Sequence, residues 1–197
     1  IEAEGGGPAH LVGHDWGGLV AWSVAALAPG HVASLTVLDA PHPAVAGPYV
    51  RRRPTQALRS LYIGFFQIPG LPEAVLGAGN FAALRATLRL TSDAHAFEEA
   101  DIADYVQAWS QPGALKAMLD WYRALRFAPD LPGRIAAPTT VLWGKRDRFL
   151  EEGLVAESLA RCERGRALFL DTTHWIQREA PEEVTREILA QALAERP

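Results

Sequence analysis

The chain has 197 residues, 49% of them hydrophobic and 21% charged, which is enough for a domain with a buried core and excludes a disordered segment. The net charge of −4 leaves no basic footprint for nucleic acid, and no apolar run approaches the roughly 20 residues a membrane-spanning helix needs. The single cysteine, Cys162, excludes a disulfide framework within the chain, and with histidines scattered and no Cys or His pairs at ligand spacing no structural zinc site is expected.

In chain order, Ala9-His10-Leu11-Val12-Gly13 is a short apolar run ending in Gly and predicts a buried strand. Leu19, Val20, Val24 and Leu27 then recur at helical spacing, predicting a helix over 17–28 that Pro29-Gly30 stops. Ser34–Leu38 predicts a second buried strand, closed by Asp39-Ala40-Pro41-His42-Pro43. Residues 44–131 carry no strand-like run, and Pro and Gly divide them into helices expected near 55–67, 81–90, 94–110 and 112–127. The basic run Arg51-Arg52-Arg53 is expected to be a solvated face. Strand texture returns at Thr139–Gly144, followed by a helix near 151–161, a fourth strand at Ala167–Leu170 and a closing helix over 179–195 with Pro181 in its first turn.

Strands alternating with helices predict an α/β fold with a parallel sheet and crossover helices, interrupted by one all-helical insertion. The parts are therefore 1–43, a helical block 44–131, and 132–197. In open α/β sheets the site lies in the loops at the carboxyl ends of the strands. Asp15, Asp39, Asp147 and His174 follow the four predicted strands in turn, and packing alone does not account for titratable groups at all four.

Gly13-His14-Asp15-Trp16-Gly17-Gly18 lies between a strand and a helix and has the form small–x–nucleophile–x–small–small. A sharp turn of this kind strains the central residue and presents its side chain above the sheet. The alternative is an ordinary Gly-rich turn with Asp capping a helix. At this point the chain resembles the α/β-hydrolase fold family, and within it the epoxide hydrolases, which share an elbow Asp with haloalkane dehalogenases. The resemblance extends over Leu38–Pro43, Arg59–Gly70, Pro112–Leu115 with Asp120–Arg123, Leu142–Asp147, and Thr173–Gln177 with Glu179–Val184. It implies that the helical block 44–131 is a cap.

The resemblance implies Asp15 as nucleophile, Asp147 as the acid and His174 as the base, in the chain order expected of this fold. An ionised Asp can attack an sp³ carbon and form an alkyl ester, which His-activated water then hydrolyses. The resemblance also implies Tyr62 and Tyr122 as hydroxyl donors to an epoxide oxygen; without it each is an ordinary packed tyrosine. The backbone N–H of Trp16 is expected in the oxyanion hole, and its indole against substrate. Phe65 and Phe66, with Leu61 and Leu71, are expected to wall an apolar pocket. Tyr49 and Tyr105 are expected to be structural, and Trp109, Trp121, Trp143 and Trp175 to pack or line the pocket. Asp39 is the alternative acid, since some relatives place it after the second strand; otherwise it caps a turn before Ala40-Pro41.

Three functions stay open on the sequence. They are epoxide opening to a vicinal diol, haloalkane dehalogenation by the same ester chemistry, and an inactive remnant of such an enzyme; ester hydrolysis is disfavoured because Asp replaces Ser at the elbow. The family's strands before the nucleophile strand, with a His-Gly-x-Pro loop, have no counterpart in Ile1–Pro8, so the chain reads as a partial α/β-hydrolase fold with weak or no activity by itself. The expected partner is a small apolar epoxide-like substrate, with no nucleic acid, cofactor or metal. The first residues show no signal peptide, and a cytoplasmic location is expected.

Overall fold

The computed structural model describes residues 1, 3, 5–128, 130, 131 and 134–194. Strands β1 (Ala9–His14), β2 (Val32–Leu38), β3 (Thr139–Gly144) and β4 (Gly165–Leu170) form one parallel sheet in the order β1-β2-β3-β4. Helices α1 (Trp16–Leu27) and α2 (Pro43–Arg52) follow the first two strands. Helices α3 (Pro54–Arg59), α4 (Leu61–Phe66), α5 (Leu71–Thr91), α6 (Glu99–Trp109) and α7 (Ala114–Ala124) fill the connection to β3. Helices α8 (Gly153–Leu159), α9 (Ile176–Glu179) and α10 (Pro181–Ala194) belong to the last third of the chain. No helix among the described residues is long and apolar enough to cross a membrane.

Strands β2 and β3 are apolar on successive residues because both faces of the sheet are covered there; β1, expected to be a buried strand, is only partly so, with Val12 47% exposed at the edge of the sheet. Leu35, Val37, Val141 and Trp143 point to one side, into a core with Trp22, Ala25, Val45, Leu154 and Val155. Leu38 and Leu142, one residue out of step, point to the other side with Ile176 and Val184. Full burial of Leu35, Val37, Val141 or Leu142 is worth about 1.5–3 kcal/mol each. On the second face Thr140 donates to Gln191 Oε1 at 2.8 Å, and the Gln191 amide donates to the Pro138 carbonyl at 2.9 Å, which ties α10 to β3.

The chain forms two compact units, Ile1–Gln56 with Asp130–Pro197, and Ala57–Pro129. This division differs from the expected helical block of 44–131. Residues 44–56 belong with the sheet, because Val45 and Tyr49 lie in its core and the Gln56 side chain donates to the Phe149 carbonyl and accepts from Glu151 N. Pro132 and Gly133, at the expected return to the sheet, lie outside the described residues. In the run Arg51–Arg53, Arg52 pairs with Glu157 at 2.6 Å on the surface and Arg53 lies over the Tyr49 ring.

Within the helical unit, Arg123 on α7 gathers the ends of three segments. It donates to the Phe66 and Ile68 carbonyls and pairs with Glu73 at 2.7 Å. Three expected helices differ from the observed ones. The stretch 55–67 breaks at Ser60 into α3 and α4. The helix expected from Phe81 begins at Leu71, with Pro72 in its first turn, although Gly70, Pro72 and Gly77 read as breakers in the sequence. It is interrupted at Ala78–Phe81, where Gly79, Asn80 and Phe81 take positive φ. The closing helix is two, α9 and α10, parted at Ala180; Glu195 lies outside the described residues.

Candidate active site

The ladder of the parallel sheet continues one residue past the strands. Asp15 N donates to the Leu38 carbonyl at 3.2 Å and Asp39 N to the Leu142 carbonyl at 3.0 Å. Asp15 and Asp39 therefore emerge side by side at the carboxyl edge, where the sites of open α/β sheets form.

Asp15 is the hinge of the elbow, with φ 49° and ψ −120°, a conformation that L residues adopt at a cost of order 1–3 kcal/mol. Gly13 and Gly18 are needed for close approach rather than flexibility. A Cβ on Gly13 would stand 2.3 Å from the Gly17 carbonyl oxygen, and one on Gly18 would stand 2.4 Å from the Ala40 Cβ. The Asp15 side chain is 44% exposed, the Trp16 backbone N–H donates to it, and it stands at the positive end of α1. Burial pushes its carboxyl up, but the hydrogen bond and charge of His174 outweigh this and hold it below the usual carboxylate range.

Asp147 stands in the turn after β3. Its Oδ1 accepts from Phe149 N at 2.6 Å and Leu150 N at 3.0 Å, which fixes the carboxyl plane and leaves Oδ2 for His174. His174 stands in the loop after β4, and Glu179 pins that loop by accepting from Thr173 N at 2.7 Å and Thr173 Oγ1 at 2.6 Å. The loop passes so close to β3 that a Cβ on Gly144 would meet the Thr173 carbonyl oxygen at 2.0 Å. His174 Nδ1 donates to Asp147 Oδ2 at 2.8 Å, and Nε2 faces Asp15 Oδ1 at 3.6 Å. Burial would lower the imidazole's pKa; the hydrogen bonds and charges of Asp147 and Asp15 overcome it and raise it to about 10.

Asp39 does not reach His174 Nδ1. It takes positive φ, its Oδ1 accepts from Gly144 N at 2.8 Å, and its buried Oδ2 has no hydrogen-bond partner among the described residues. Burial pushes this carboxyl well above the usual carboxylate range. The carboxyl that bonds His174 Nδ1 is thus that of Asp147, at the later of the two candidate positions.

Two residues that the sequence does not single out also belong here. His14 Nε2 lies 2.8 Å from the His174 carbonyl oxygen, and the Gln177 amide lies 3.3 Å from His14 Nδ1. The pattern x–Asp at the elbow marks His14 only as a neighbour, and no local signal marks Gln177. His14, Asp39 and His174 offer ligand atoms within 4.8 Å of one another, a spacing a metal ion could use. Their ring nitrogens, however, are committed to Asp147, Asp15, Gln177 and the His174 carbonyl.

In the helical unit, taken by itself, Tyr62 on α4 and Tyr122 on α7 meet with ring centroids 5.8 Å apart, and Phe66 packs on Tyr122 at 4.9 Å. Phe65 adjoins Phe66 at 5.9 Å. Leu61 and Leu71 are exposed in that unit. Tyr49 is core, its hydroxyl donating to Glu151 at 3.2 Å, and Tyr105 packs between Phe97 and Trp109. Trp143 is core, Trp175 lies edge-on to His174 and Trp121 is exposed.

Residues 1–187 match the family described as the alpha/beta hydrolase family. Over 182 residues the chain is 40% identical to AB hydrolase superfamily protein YfhM of Bacillus subtilis, covering 91% of this chain and 64% of that protein. It is 35% identical over 186 residues to Epoxide hydrolase 3 of Xenopus tropicalis, covering 89% of this chain and 50% of the other. The chain thus spans between half and two thirds of the length of these relatives. The crystal structure of Bacillus megaterium epoxide hydrolase superposes with a TM-score of 0.86 at 24% identity, over 98% of this chain and 72% of that one, a likeness of fold.

Proposed function

The chain belongs to the α/β-hydrolase family, and we propose that it carries the nucleophile, acid and base of an epoxide hydrolase that forms vicinal diols through an Asp15 ester. The observation that carries the reading is one line of contacts. An elbow carboxylate, not a hydroxyl, faces His174 Nε2 at 3.6 Å while Nδ1 is held by Asp147 at 2.8 Å. That curated relatives such as the Xenopus protein are named epoxide hydrolases supports it.

In the first step an Asp15 oxygen bonds to a ring carbon and the ring C–O bond breaks. The oxygen takes a proton from Tyr62 or Tyr122, the donors the family resemblance assigns. Ester formation removes the Asp15 charge, one of the two that keep His174 protonated, so the imidazole's pKa falls; Nε2 releases its proton to solvent, to be regained once Asp15 reionises, and becomes available as a base. His174 then takes a proton from water, whose oxygen adds to the ester carbonyl with the Trp16 N–H donating to the oxyanion. The diol oxygen leaves with the proton from His174, and the proton freed as Asp15 reionises returns to the tyrosinate. The substrate is a small apolar epoxide, with Trp16, Phe65 and Phe66 as the substrate-binding residues expected from the sequence.

The test is mass spectrometry of the chain and of His174→Gln after incubation with styrene oxide. A covalent increment on the peptide holding Asp15 is expected to persist in His174→Gln and to turn over in the parent. No increment in either sinks the reading. Tyr62→Phe with Tyr122→Phe is expected to abolish ring opening; a chain that instead releases halide from haloalkanes, indifferent to those changes, is a dehalogenase on the same ester.

A further inference from the structure

We infer that His14 is a positioning residue for His174: by holding the His174 carbonyl, and being held in turn by Gln177, it fixes where the His174 imidazole stands relative to Asp15. The inference rests on the ester reading above only for its kinetic consequence, and its structural part stands apart from it.

With the Gln177 amide nitrogen facing it, the ring has one hydrogen pattern. A carbonyl oxygen can only accept, so the 2.8 Å contact to the His174 carbonyl requires the proton on His14 Nε2. His14 Nδ1 is then a lone pair, and the Gln177 amide at 3.3 Å donates to it. A doubly protonated ring would keep the second contact only by turning the Gln177 amide to present its oxygen. Burial, followed by the neighbouring His174, lowers the pKa of His14 to about 4, so near neutral pH it keeps the single-proton form that both contacts need.

The contacts join parts of the chain far apart in sequence. His14 closes β1, immediately before the nucleophile, while His174 follows β4, 160 residues on. The backbone of the histidine loop is gripped on both sides of the imidazole. Thr173 N is held by Glu179 at 2.7 Å, and the His174 carbonyl by His14 at 2.8 Å. The His14 ring also lies against the working ring, with centroids 4.8 Å apart and planes tilted by 50°. His174 Nε2 stands 3.6 Å from Asp15 Oδ1, already long for a hydrogen bond, so a small drift of the loop separates the base from the nucleophile. The nucleophile and its base are therefore registered to each other through the residue next to the nucleophile, and this accounts for an imidazole at position 14, where strand propensity asks for none.

The consequence divides the two half-reactions. Attack by Asp15 does not use Nε2 as a base, whereas hydrolysis of the ester does. His14→Leu removes the donor and leaves a carbonyl unpaired. A lost hydrogen bond of this kind is expected to slow ester hydrolysis roughly tenfold and to change ester formation by less than about twofold. His14→Gln carries an amide N–H that reaches as far as Nε2, and is expected to restore most of the loss.

The experiment has two readouts on the full chain. The first is proton NMR of the His174 Nδ1 hydrogen shared with Asp147, with its solvent-exchange rate. Exchange is expected about tenfold faster in His14→Leu, faster in Gln177→Met, and close to the parent in His14→Gln. An unchanged rate in either loss variant overturns the inference, and Gln177→Met decides it if His14→Leu does not fold. The second is single-turnover mass spectrometry with styrene oxide, where the Asp15 adduct is expected to accumulate in His14→Leu and clear in His14→Gln. Equal clearance in all three overturns the kinetic part. Absence of any adduct, in the parent and in His174→Gln alike, defeats the ester reading instead and leaves the exchange rates to decide the positioning.

Discussion

Replacing Asp147 by Asn removes one negative charge from His174 with almost no change of shape. The imidazole's pKa stands near 10 against an ordinary 6.5, which at 1.36 kcal/mol per unit is about 5 kcal/mol of preference for the charged ring. Two carboxylates share it, Asp147 at 2.8 Å and Asp15 at 3.6 Å, and only the first lies at the distance of a strong charge-assisted bond. The larger part therefore belongs to Asp147, and Asp147→Asn is expected to lower the His174 pKa by about 2 units, or about 3 kcal/mol. Histidine ring NMR across pH 5–11 measures this directly. Stability must follow. A raised folded-state pKa contributes stability that is fully present below about pH 6.5 and is lost as pH climbs through about 10, and in Asp147→Asn that alkaline decline is expected to shrink and to finish at lower pH. The control is Asp39→Asn. The carboxylates that raise His174 are Asp147 and Asp15, and Asp39 Oδ1 accepts from Gly144 N, a bond that Asn keeps, so the His174 titration is expected to move by less than about half a unit. An equal fall in both variants, or a larger one in Asp39→Asn, would refute the assignment of Asp147 as the acid.

Gly13→Ala forces a Cβ to within 2.3 Å of the Gly17 carbonyl oxygen and 2.8 Å of Gly18 N, both backbone, and is expected to cost at least about 3 kcal/mol in urea denaturation; a loss under about 0.5 kcal/mol, on the order of an exposed substitution, would contradict the elbow geometry. His42 caps α2 by accepting from Ala44 N on Nδ1 and packs edge-on to Trp22; burial, then the charge of Arg161, lowers its pKa to about 4. Its contribution is therefore complete above about pH 6.5 and declines as pH falls towards 4, by up to about 3 kcal/mol, and His42→Asn, which caps without titrating there, is expected to flatten that acid limb in unfolding measured at pH 4–7.

The parts of this molecule that are legible in the sequence are those whose physics is local. Gly13 and Asp15 spell the elbow because the clash a Cβ on Gly13 would make, with Gly17 and Gly18, lies within five residues of chain, whereas the clash at Gly18 is with Ala40, brought there by the fold. Strands β2 and β3 are legible because a sheet covered on both faces needs unbroken apolar runs. Asp147 and His174 are legible because a titratable group at the carboxyl end of a buried strand is seldom there for packing. What the sequence conceals depends on neighbours set by the tertiary fold. Asp39 and Asp147 both follow buried strands, and only the Gly144 turn, which hands its N–H to Asp39 and lets Asp147 Oδ2 face His174, separates them. The helical residues 44–56 resemble those that follow them, and only the burial of Val45 and Tyr49 against the sheet assigns them to it. Leu71–Gly77 is hidden because Pro72 is a breaker in mid-helix and a favoured residue in a first turn, and composition cannot say which applies. The contact of His14 with the His174 carbonyl is the extreme of this kind: no periodicity relates the two residues, and the bond exists because a parallel sheet delivers the end of β1 and the loop after β4 to the same edge.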